Sequence, residues 1–344
     1  MAEGPSWLDP SWLDQTREAP LEPTLPIIDP HHHLWDYPKG PSGRYLLDEV
    51  LADTGSGHNV VATVFVECGS MYRAAGPESL RPVGETEFVQ GIAAMSASGT
   101  YGATRVAAGI VSFADLLLGA AVREVLEAHV RASPNRLRGI RHSAAWHASN
   151  DIRKSHSNPP QGLLLNKKFR EGFAQIQPLG LAFDAFLLHS QLPELTDLAR
   201  AFPDTTIVLD HFGGPIGIGP YAGKGDEVFA DWRRSIDELA KCPNVYAKLG
   251  GINMKLNGFD WHKRARPPTS EDLAAATKRY YLHTIERFGV ERCMFESNFP
   301  MDKVSCSYGV LWNSYKRLAA NFTAAEKAAL FHDTAKRVYR LNDL

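Results

Sequence analysis

Three consecutive histidines follow a short apolar run near the start of the chain, in the stretch Ile27-Ile28-Asp29-Pro30-His31-His32-His33-Leu34-Trp35. If that run is a buried strand, side-chain alternation sends His31 and His33 to the same side of its end. Two imidazoles that converge beside a pocket can bind a metal ion or polarise a carbonyl oxygen. A histidine-rich surface loop is the alternative, but the preceding apolar run and the flanking Asp29 and Trp35 favour a functional site.

Polar residues also lie at or beyond the ends of several later apolar runs. In chain order they are Glu67, Arg141, His142, His189, Asp210, His211, Lys248, Glu296, Asn298 and Asp302, with the aromatic Trp146 close to His142 in the chain. Polar groups at so many strand ends are costly to bury unless they serve one site. Taken singly, some have a structural explanation: His189 as a packing residue, Asp210 as the carboxylate that orients His211, and Lys248 as a solvated strand end.

The elements that must position these residues alternate along the chain. Apolar runs typical of strands occur at 25–29, 60–66, 104–111, 136–141, 181–188, 205–210, 244–249 and 291–297. Helical spacing occurs at 85–97, 115–131, 167–177, 192–202, 226–241, 271–288, 307–319 and 323–340. Alternating strands and helices indicate βαβ units and a parallel sheet. Eight strands match the α/β class of a (β/α)8 TIM barrel.

The links that follow predicted strands are long, at 142–165, 211–225 and 250–270, whereas several links that follow predicted helices are short. In barrel enzymes the loops after the strands build the active site. The polar residues at the strand ends are therefore expected to meet on one face. No charge run or low-complexity linker divides the chain, which predicts one barrel domain over residues 25–344.

An N-terminal arm over residues 1–24 precedes that domain. It is polar, rich in proline, and repeats Pro5-Ser6-Trp7-Leu8-Asp9 as Pro10-Ser11-Trp12-Leu13-Asp14. The two tryptophans favour packing against the barrel or against a neighbouring subunit, and in the second case the protein would be a homo-oligomer. A flexible tail is the alternative.

Composition excludes several classes of function. The chain has 344 residues, 44% of them hydrophobic, and a net charge of -2, which is typical of a soluble globular protein and gives no basis for nucleic-acid or membrane binding. Its four cysteines form no Cys-x-x-Cys pair, so a disulfide framework or structural zinc site is not expected. There is no basic residue before Arg17 and no signal-peptide or membrane-spanning apolar run, which predicts a cytoplasmic protein whose partner is a small-molecule substrate.

Common catalytic motifs do not fit the sequence. There is no Gly-x-Ser-x-Gly elbow, no His-Glu-x-x-His motif and no dinucleotide fingerprint after the first predicted strand. The glycine-rich stretch 219–225 has the wrong glycine spacing for a phosphate loop, and Gly225 stands where Ser or Thr would meet magnesium.

Taken together, the motifs resemble the amidohydrolase superfamily, in its subgroup of lactone hydrolases that includes fuconolactonase and 2-pyrone-4,6-dicarboxylate lactonase. The resemblance covers about residues 25–340. The matching stretches, in the family's order, are Asp-Pro-His-His-His-Leu-Trp, Arg-Gly-Ile-Arg-His, Asp-His-Phe-Gly-Gly-Pro, Lys-Leu-Gly-Gly and Ser-Asn-Phe-Pro. The resemblance implies a distorted (β/α)8 barrel with its pocket at the carboxyl ends of the strands.

The resemblance also implies roles for individual residues. His31 and His33 correspond to the family's His-x-His pair and His211 to its histidine late in the barrel, so these three are the predicted ligands if a metal is bound. Arg141, His142 and Lys248 fall where substrate-binding groups are expected. Because no lysine at the fourth predicted strand would bridge two metals, the expectation is no cofactor or one divalent ion, zinc or manganese.

Asn298 departs from the family pattern, which usually has an aspartate at this position to activate water. A carboxamide cannot accept that proton at neutral pH. Three explanations are open. Asp302 or Glu296 supplies the base from a shifted position, His211 backed by Asp210 supplies it, or the protein has lost hydrolysis and kept only binding.

The function predicted from these observations is a hydrolase that opens a lactone, or related cyclic ester, of a small oxygenated acid. His31 and His33 would polarise the carbonyl, and Asp302 would deprotonate water. The remaining candidates would contact the substrate: Arg141 and Lys248 through a carboxylate, Trp35 and Trp146 as apolar walls, and His142 and Glu67 as polar groups. The alternatives are a metal-dependent non-oxidative decarboxylase on the same fold and a non-catalytic ligand-binding descendant.

Overall fold

The computed structural model describes residues 9–37, 43–153 and 155–342. Residues 1–8, with Trp7 of the first tryptophan repeat, lie outside this description, as do 38–42, 154 and 343–344. The described residues form ten strands: β1 (Pro26–His32), β2 (Trp35–Tyr37), β3 (Gly43–Tyr45), β4 (Asn59–Val66), β5 (Arg105–Ser112), β6 (Leu137–Arg141), β7 (Ala182–Ala185), β8 (Ile207–Leu209), β9 (Val245–Leu249) and β10 (Cys293–Phe295).

Eight of these strands form one parallel sheet in the order β1-β4-β5-β6-β7-β8-β9-β10. The two edges meet just beyond β10, where the amide of Asn298 donates to the carbonyl of His31 (2.9 Å) and the amide of His33 donates to that of Phe299 (2.8 Å). The predicted (β/α)8 barrel is confirmed. Strands β2 and β3 pair separately as an antiparallel hairpin that the hydrophobic pattern did not predict.

The helices are α1 (Pro10–Leu13), α2 (Leu47–Thr54), α3 (Val83–Ala97), α4 (Val122–Ala132), α5 (Lys167–Phe173), α6 (Leu192–Ala201), α7 (Gly225–Leu239), α8 (Ser270–Phe288), α9 (Tyr308–Leu318), α10 (Ala324–Ala328) and α11 (Thr334–Val338). The predicted last helix, 323–340, is divided by a π-helical turn at Ala329–Asp333. The predicted helix at 115–131 begins as a 3₁₀ turn, because Gly119 (φ 62°, ψ -143°) interrupts it. Several predicted strands are shorter than expected. The strand predicted at 205–210, for example, extends only over Ile207–Leu209. Beyond it, His211 and Phe212 adopt positive φ angles of 53° and 58°.

Side chains alternate between the two faces of the strands. Ile27, Ile207 and Phe295 pack against the outer helices, whereas Ile28, Val208, Met294 and their counterparts from β4 and β5 form a second apolar cluster inside the barrel. The C-terminal segment joins that inner cluster through Ala335, Val338, Tyr339 and Leu341. In β1, β8 and β10 the residue of the inner apolar cluster comes before the polar residue at the strand end. The C-terminal segment therefore packs on the amino-terminal side of the polar groups described below.

The described part of the arm contacts the barrel. The indole nitrogen of Trp12 donates to the carbonyl of Arg264 (3.1 Å), and the amide of Leu21 donates to the side-chain oxygen of Asn313 (2.7 Å). Leu13 is buried. The single domain and the oligomeric state stay predictions. Within the described ranges, no helix is both long and apolar enough to cross a membrane.

Candidate active site

The carboxyl ends of the barrel strands bring a dense set of polar side chains together. His31 lies on β1, Glu67 follows β4, Arg141 ends β6, Asp184 lies on β7, Asp210 and His211 follow β8, Lys248 lies on β9, and Glu296 and Asn298 follow β10. All of them are buried. Parallel strands place their carboxyl ends on one face of a barrel, so residues far apart in sequence meet there.

The carboxylate of Glu296 lies between two imidazoles. Its Oε2 is 2.8 Å from Nδ1 of His31, and its Oε1 is 2.7 Å from Nδ1 of His211. Burial opposes ionisation of Glu296, but His211 and His31 outweigh that effect and lower its pKa to about 2. The carboxylate that contacts His211 is thus Glu296, and Asp210 is directed to other partners.

Two glycines leave room for this arrangement. Gly250 and Gly251 follow β9, and a Cβ on Gly251 would lie 2.1 Å from Nδ1 of His211. A Cβ on Gly250 would lie 2.2 Å from the carbonyl oxygen of Glu296. Gly251 also has a positive φ of 66°, which other residues rarely adopt. The Lys-Leu-Gly-Gly stretch therefore allows β9 to approach both functional side chains.

Lys248 is completely buried rather than solvated at a strand end. Its Nζ lies 2.5 Å from Oδ2 of Asp184, 3.1 Å from Oδ1 of Asp210 and 3.2 Å from Nδ1 of His31. Burial disfavours the ammonium, but Asp184 and Asp210 outweigh it and raise the pKa of Lys248. Its charge is therefore compensated within the protein.

Arg141 is also paired with carboxylates. Its Nε donates to Oε1 of Glu67 (2.7 Å), one terminal nitrogen donates to the Glu67 carbonyl, and the other lies 3.3 Å from Oδ2 of Asp210. The second oxygen of Glu67 is 2.9 Å from Nε2 of His156, a residue of the long loop after β6. Arg141 and His156 outweigh burial and lower the pKa of Glu67 to about 2.

His33 points its Nδ1 at the carbonyl oxygen of Val66 (2.8 Å), so Nδ1 carries the proton and Nε2 carries the lone pair. Burial lowers the pKa of His33 well below its usual value, and the ring is neutral. A neutral imidazole in this tautomer accepts a hydrogen bond or binds a metal through Nε2 but does not donate from it. Trp35 stacks on the ring at 6.1 Å.

Asp302 and Asn298 are in direct contact. Nδ2 of Asn298 donates to Oδ1 of Asp302 (3.0 Å), and the amide of Asn253 donates to Oδ2 (3.2 Å). Burial raises the pKa of Asp302 to about 7. Asn298 itself has a positive φ of 55°, a strained conformation of the kind found at functional sites. Because its nitrogen faces Asp302, its amide oxygen is directed elsewhere.

Two other predicted substrate contacts, His142 and Trp146, and the predicted packing residue His189 contact residues outside the His31–Glu296–His211 group. Nδ1 of His142 accepts a hydrogen bond from the amide of Leu116 (3.2 Å), and its ring packs against Phe113. The backbone amide of Trp146 donates to Gln191 (3.1 Å). His189 packs against Tyr221 at 5.1 Å. The roles assigned to these residues from the sequence stay predictions.

Three residues near the centre were missed from the sequence. Asp184 lies on β7 and contacts Lys248. Phe186 lies 5.4 Å from the His211 ring and 5.9 Å from the Arg141 guanidinium. His156 reaches Glu67 from a loop without regular periodicity. Phe186 stands near the end of a predicted strand, which is a usable signal, whereas nothing in the sequence indicates the position of His156.

The donor set fits one divalent metal ion. Within the described residues, ligand atoms of His31, His211 and Glu296 all lie within 4.8 Å of one another, and two imidazoles with one carboxylate form a known catalytic zinc set. His33 is not part of this trio. Lys248 and Arg141 lie 3.2 Å and 3.4 Å from the two ring nitrogens of His31, so two cationic groups already lie beside one member of the trio.

Comparison with known proteins agrees with this geometry. The family model described as amidohydrolase matches residues 28–341. The protein y4mH of Sinorhizobium fredii is 33% identical over 336 residues, which cover 92% of this chain and 99% of that protein. The L-fucono-1,5-lactonase of Burkholderia multivorans is 27% identical over 325 residues, covering 91% and 96% of the two chains.

A solved structure shares the fold over nearly the same length. It is the crystal structure of an amidohydrolase from Burkholderia multivorans with bound zinc, which has a TM-score of 0.69 and 25% identity and covers 91% of this chain and 99% of that chain. The resemblance to lactonases predicted from the motifs is confirmed. The chain belongs to the amidohydrolase family and is a hydrolase.

Proposed function

We propose that this hydrolase opens a lactone of a small oxygenated acid whose ring carries no charged group. The observation that carries the proposal is the Glu296 carboxylate held between His31 and His211 at the carboxyl end of the barrel. These three residues could bind a metal ion. Arg141 and the Asn298–Asp302 pair lie close to them. The L-fucono-1,5-lactonase of Burkholderia multivorans, a relative along 91% of this chain, supports the reaction class.

The reaction adds water to the lactone carbonyl, and the ring C–O bond then breaks as its oxygen takes up a proton. Asp302 is the proposed base, because a carboxyl with a pKa of about 7 accepts a proton efficiently near neutral pH. Asn298 orients the attacking water through its amide oxygen, while its nitrogen holds Asp302 in place. Asn298 thus orients the attacking water, as an aspartate at this position would, and leaves the proton transfer to Asp302.

The negative charge that develops on the carbonyl oxygen needs a positive partner. Arg141 lies 3.4 Å from Nε2 of His31 and is 6% exposed, whereas Lys248 is completely buried, so Arg141 is the proposed partner of that charge. When a divalent ion is bound by His31, His211 and Glu296, it supplies Lewis-acid polarisation of that carbonyl. The zinc in the structurally similar amidohydrolase supports this cofactor.

The charge balance of the site supports an uncharged substrate. Four buried carboxylates (Glu67, Asp184, Asp210 and Glu296) face two permanent cations (Arg141 and Lys248), and a bound divalent ion would only balance the difference. A carboxylate on the substrate would have to displace one of these acids or bind beside them, and both are unfavourable. We therefore propose that Arg141 and Lys248 set the electrostatic potential of the active site and do not bind a carboxylate of the substrate.

The test is a pH-indicator assay of the purified protein on neutral sugar-acid lactones and on a dicarboxylated pyrone lactone, with metal analysis and a chelated sample. We expect hydrolysis of a neutral lactone at a kcat/KM at least about tenfold above that of the charged one, a difference of about 1.4 kcal/mol. The variant Asp302→Asn should be inactive, whereas Asp48→Asn on the exposed surface should match the unaltered protein.

Two results would overturn the proposal. Hydrolysis of only the dicarboxylated lactone would refute the uncharged substrate class. Failure to hydrolyse any lactone, with one metal ion bound or with none, would refute the lactonase reaction and favour a decarboxylase or a ligand-binding protein.

A further inference from the structure

A polar cluster formed by Ser70, Tyr72 and Glu85 lies between the loop after β4 and the first turn of α3. Glu85 of α3 is buried, and its Oε1 accepts hydrogen bonds from the backbone amides of Ser70 (2.8 Å) and Cys68 (3.0 Å). These two bonds fix the carboxyl group. Its other oxygen is therefore held in one direction.

Three polar atoms of this cluster have no hydrogen-bond partner among the described residues: Oε2 of Glu85, Oγ of Ser70 and the hydroxyl of Tyr72. Ser70 and Glu85 are 1% and 2% exposed. Buried polar atoms are nearly always hydrogen-bonded in native proteins, because an unpaired one loses its interaction with water and gains nothing. Three such atoms from one short loop and the facing helix turn indicate a binding surface for a polar group.

The polar cluster is linked to the catalytic centre through Glu67. Cys68, whose amide binds Glu85, directly follows Glu67, and Glu67 holds Arg141. Burial raises the pKa of Glu85 to about 7, and the charge of Glu67 adds to that rise, so the two carboxyl groups are close. Burial and both carboxylates raise the pKa of Tyr72 as well. Tyr37 stacks on Trp35, which in turn stacks on His33.

We infer that Ser70, Tyr72 and Glu85 form a subsite for a ring hydroxyl of the substrate. A hydroxyl group donates one hydrogen bond and accepts others, which matches a carboxyl oxygen and two hydroxyls. A carboxylate or phosphate does not match, because Glu85 and Glu67 would repel it. The assignment rests on the proposed lactonase function. It adds a hydroxyl-binding subsite that selects lactone rings with hydroxyl groups over rings without them.

The variant Tyr72→Phe tests the subsite because it removes one hydroxyl and keeps the ring. Kinetics are measured on glucono-1,5-lactone, which carries ring hydroxyls, and on δ-valerolactone, which carries none. We expect KM for the hydroxylated lactone to rise about tenfold with kcat within about twofold, the pattern of lost uniform binding, and no change with δ-valerolactone. Ser70→Ala should act in the same direction. Tyr101→Phe, at an exposed position, is the matched control.

Equal losses on both lactones would overturn the subsite, because a general structural defect acts on every substrate, and so would unchanged kinetics on both. Calorimetric binding of gluconolactam, a hydroxylated ring that is not a lactone, separates the subsite from the reaction. If no lactone is hydrolysed but the lactam binds and Tyr72→Phe weakens binding about tenfold, the proposed function fails and the subsite stands. Absence of lactam binding to the unaltered protein in that case would overturn the subsite as well.

Discussion

The phenol of Tyr339 donates a 2.7 Å hydrogen bond to Oδ2 of Asp184 inside the barrel. The same oxygen accepts a hydrogen bond from the ammonium group of Lys248. The Nζ of Lys248 also lies 5.4 Å from the centre of the Tyr339 ring. Tyr339 belongs to the C-terminal segment that packs on the amino-terminal side of the site. The end of the described chain is thereby connected to the charged network that surrounds His31.

The variant Tyr339→Phe should lower the free energy of unfolding by about 1–2 kcal/mol, because it removes a buried hydrogen bond to a charged group and leaves the ring packing intact. Denaturant unfolding followed by circular dichroism measures this change. The exposed Tyr101 provides the control, since Tyr101→Phe should shift stability by less than about 0.5 kcal/mol. Equal stability of the two variants would show that the bond to Asp184 contributes nothing.

Metal binding should depend on His31, His211 and Glu296. We expect at most one zinc per chain by elemental analysis, and loss of that ion in His31→Ala, His211→Ala and Glu296→Gln, because each variant removes one donor of the trio. His33→Ala is the informative comparison, since His33 lies outside the trio and the variant should retain the ion. Loss of the ion in His33→Ala would instead favour the three-histidine set predicted from the motifs.

The pH dependence of turnover should follow Asp302. Because burial raises its pKa to about 7, the proton-accepting form is populated above that pH, and kcat/KM should rise through pH 7 and then level off. Asp302→Asn should lower kcat by at least about a hundredfold. A steep rise centred well below pH 6 would identify another base.

The same group affects stability with a defined sign. The folded pKa of Asp302 lies above its ordinary value of 3.8, so the native state binds more protons than the unfolded state between those values and loses stability as the pH rises from about 4 to 7. Asp302→Asn removes this titration. The stability of the variant relative to the unaltered protein should therefore improve over that pH range, as measured by urea unfolding at several pH values.

Arg141 should be far more important for stability than a surface arginine. Arg141→Met removes one cation from each of two buried carboxylates, leaving Glu67 with His156 alone and Asp210 with Lys248 alone, and should cost about 3–5 kcal/mol. Arg44→Met breaks an exposed pair with Asp48 and should cost less than about 1 kcal/mol. Thermal and denaturant unfolding of the two variants compare them directly. A similar loss of stability in the two variants would mean that water reaches the ion pairs of Arg141.

The alternation of apolar runs and helical spacing was sufficient to predict the barrel, because each parallel strand needs a covering helix before the next strand can pair. The location of His31, His211, Lys248 and Asn298 on one face followed for the same reason, since the carboxyl ends of all strands meet there. The hairpin β2–β3, the short helix α2 and the division of the last helix were not predicted. The corresponding segments are short, and tertiary contacts decide their conformation.

The sequence by itself determined the family, the barrel and the set of polar residues at its rim, because these depend on local periodicity and on residue types at strand ends. Tertiary structure alone decided the partners of those residues. His211 contacts Glu296, 85 positions away, rather than the adjacent Asp210, whose oxygens face Lys248 and Arg141. Strand register and the close approach at Gly250 and Gly251 bring these groups together, and neither is encoded in a local pattern. The contact of Tyr339 with Asp184 depends in the same way on where the C-terminal segment packs once the barrel has formed.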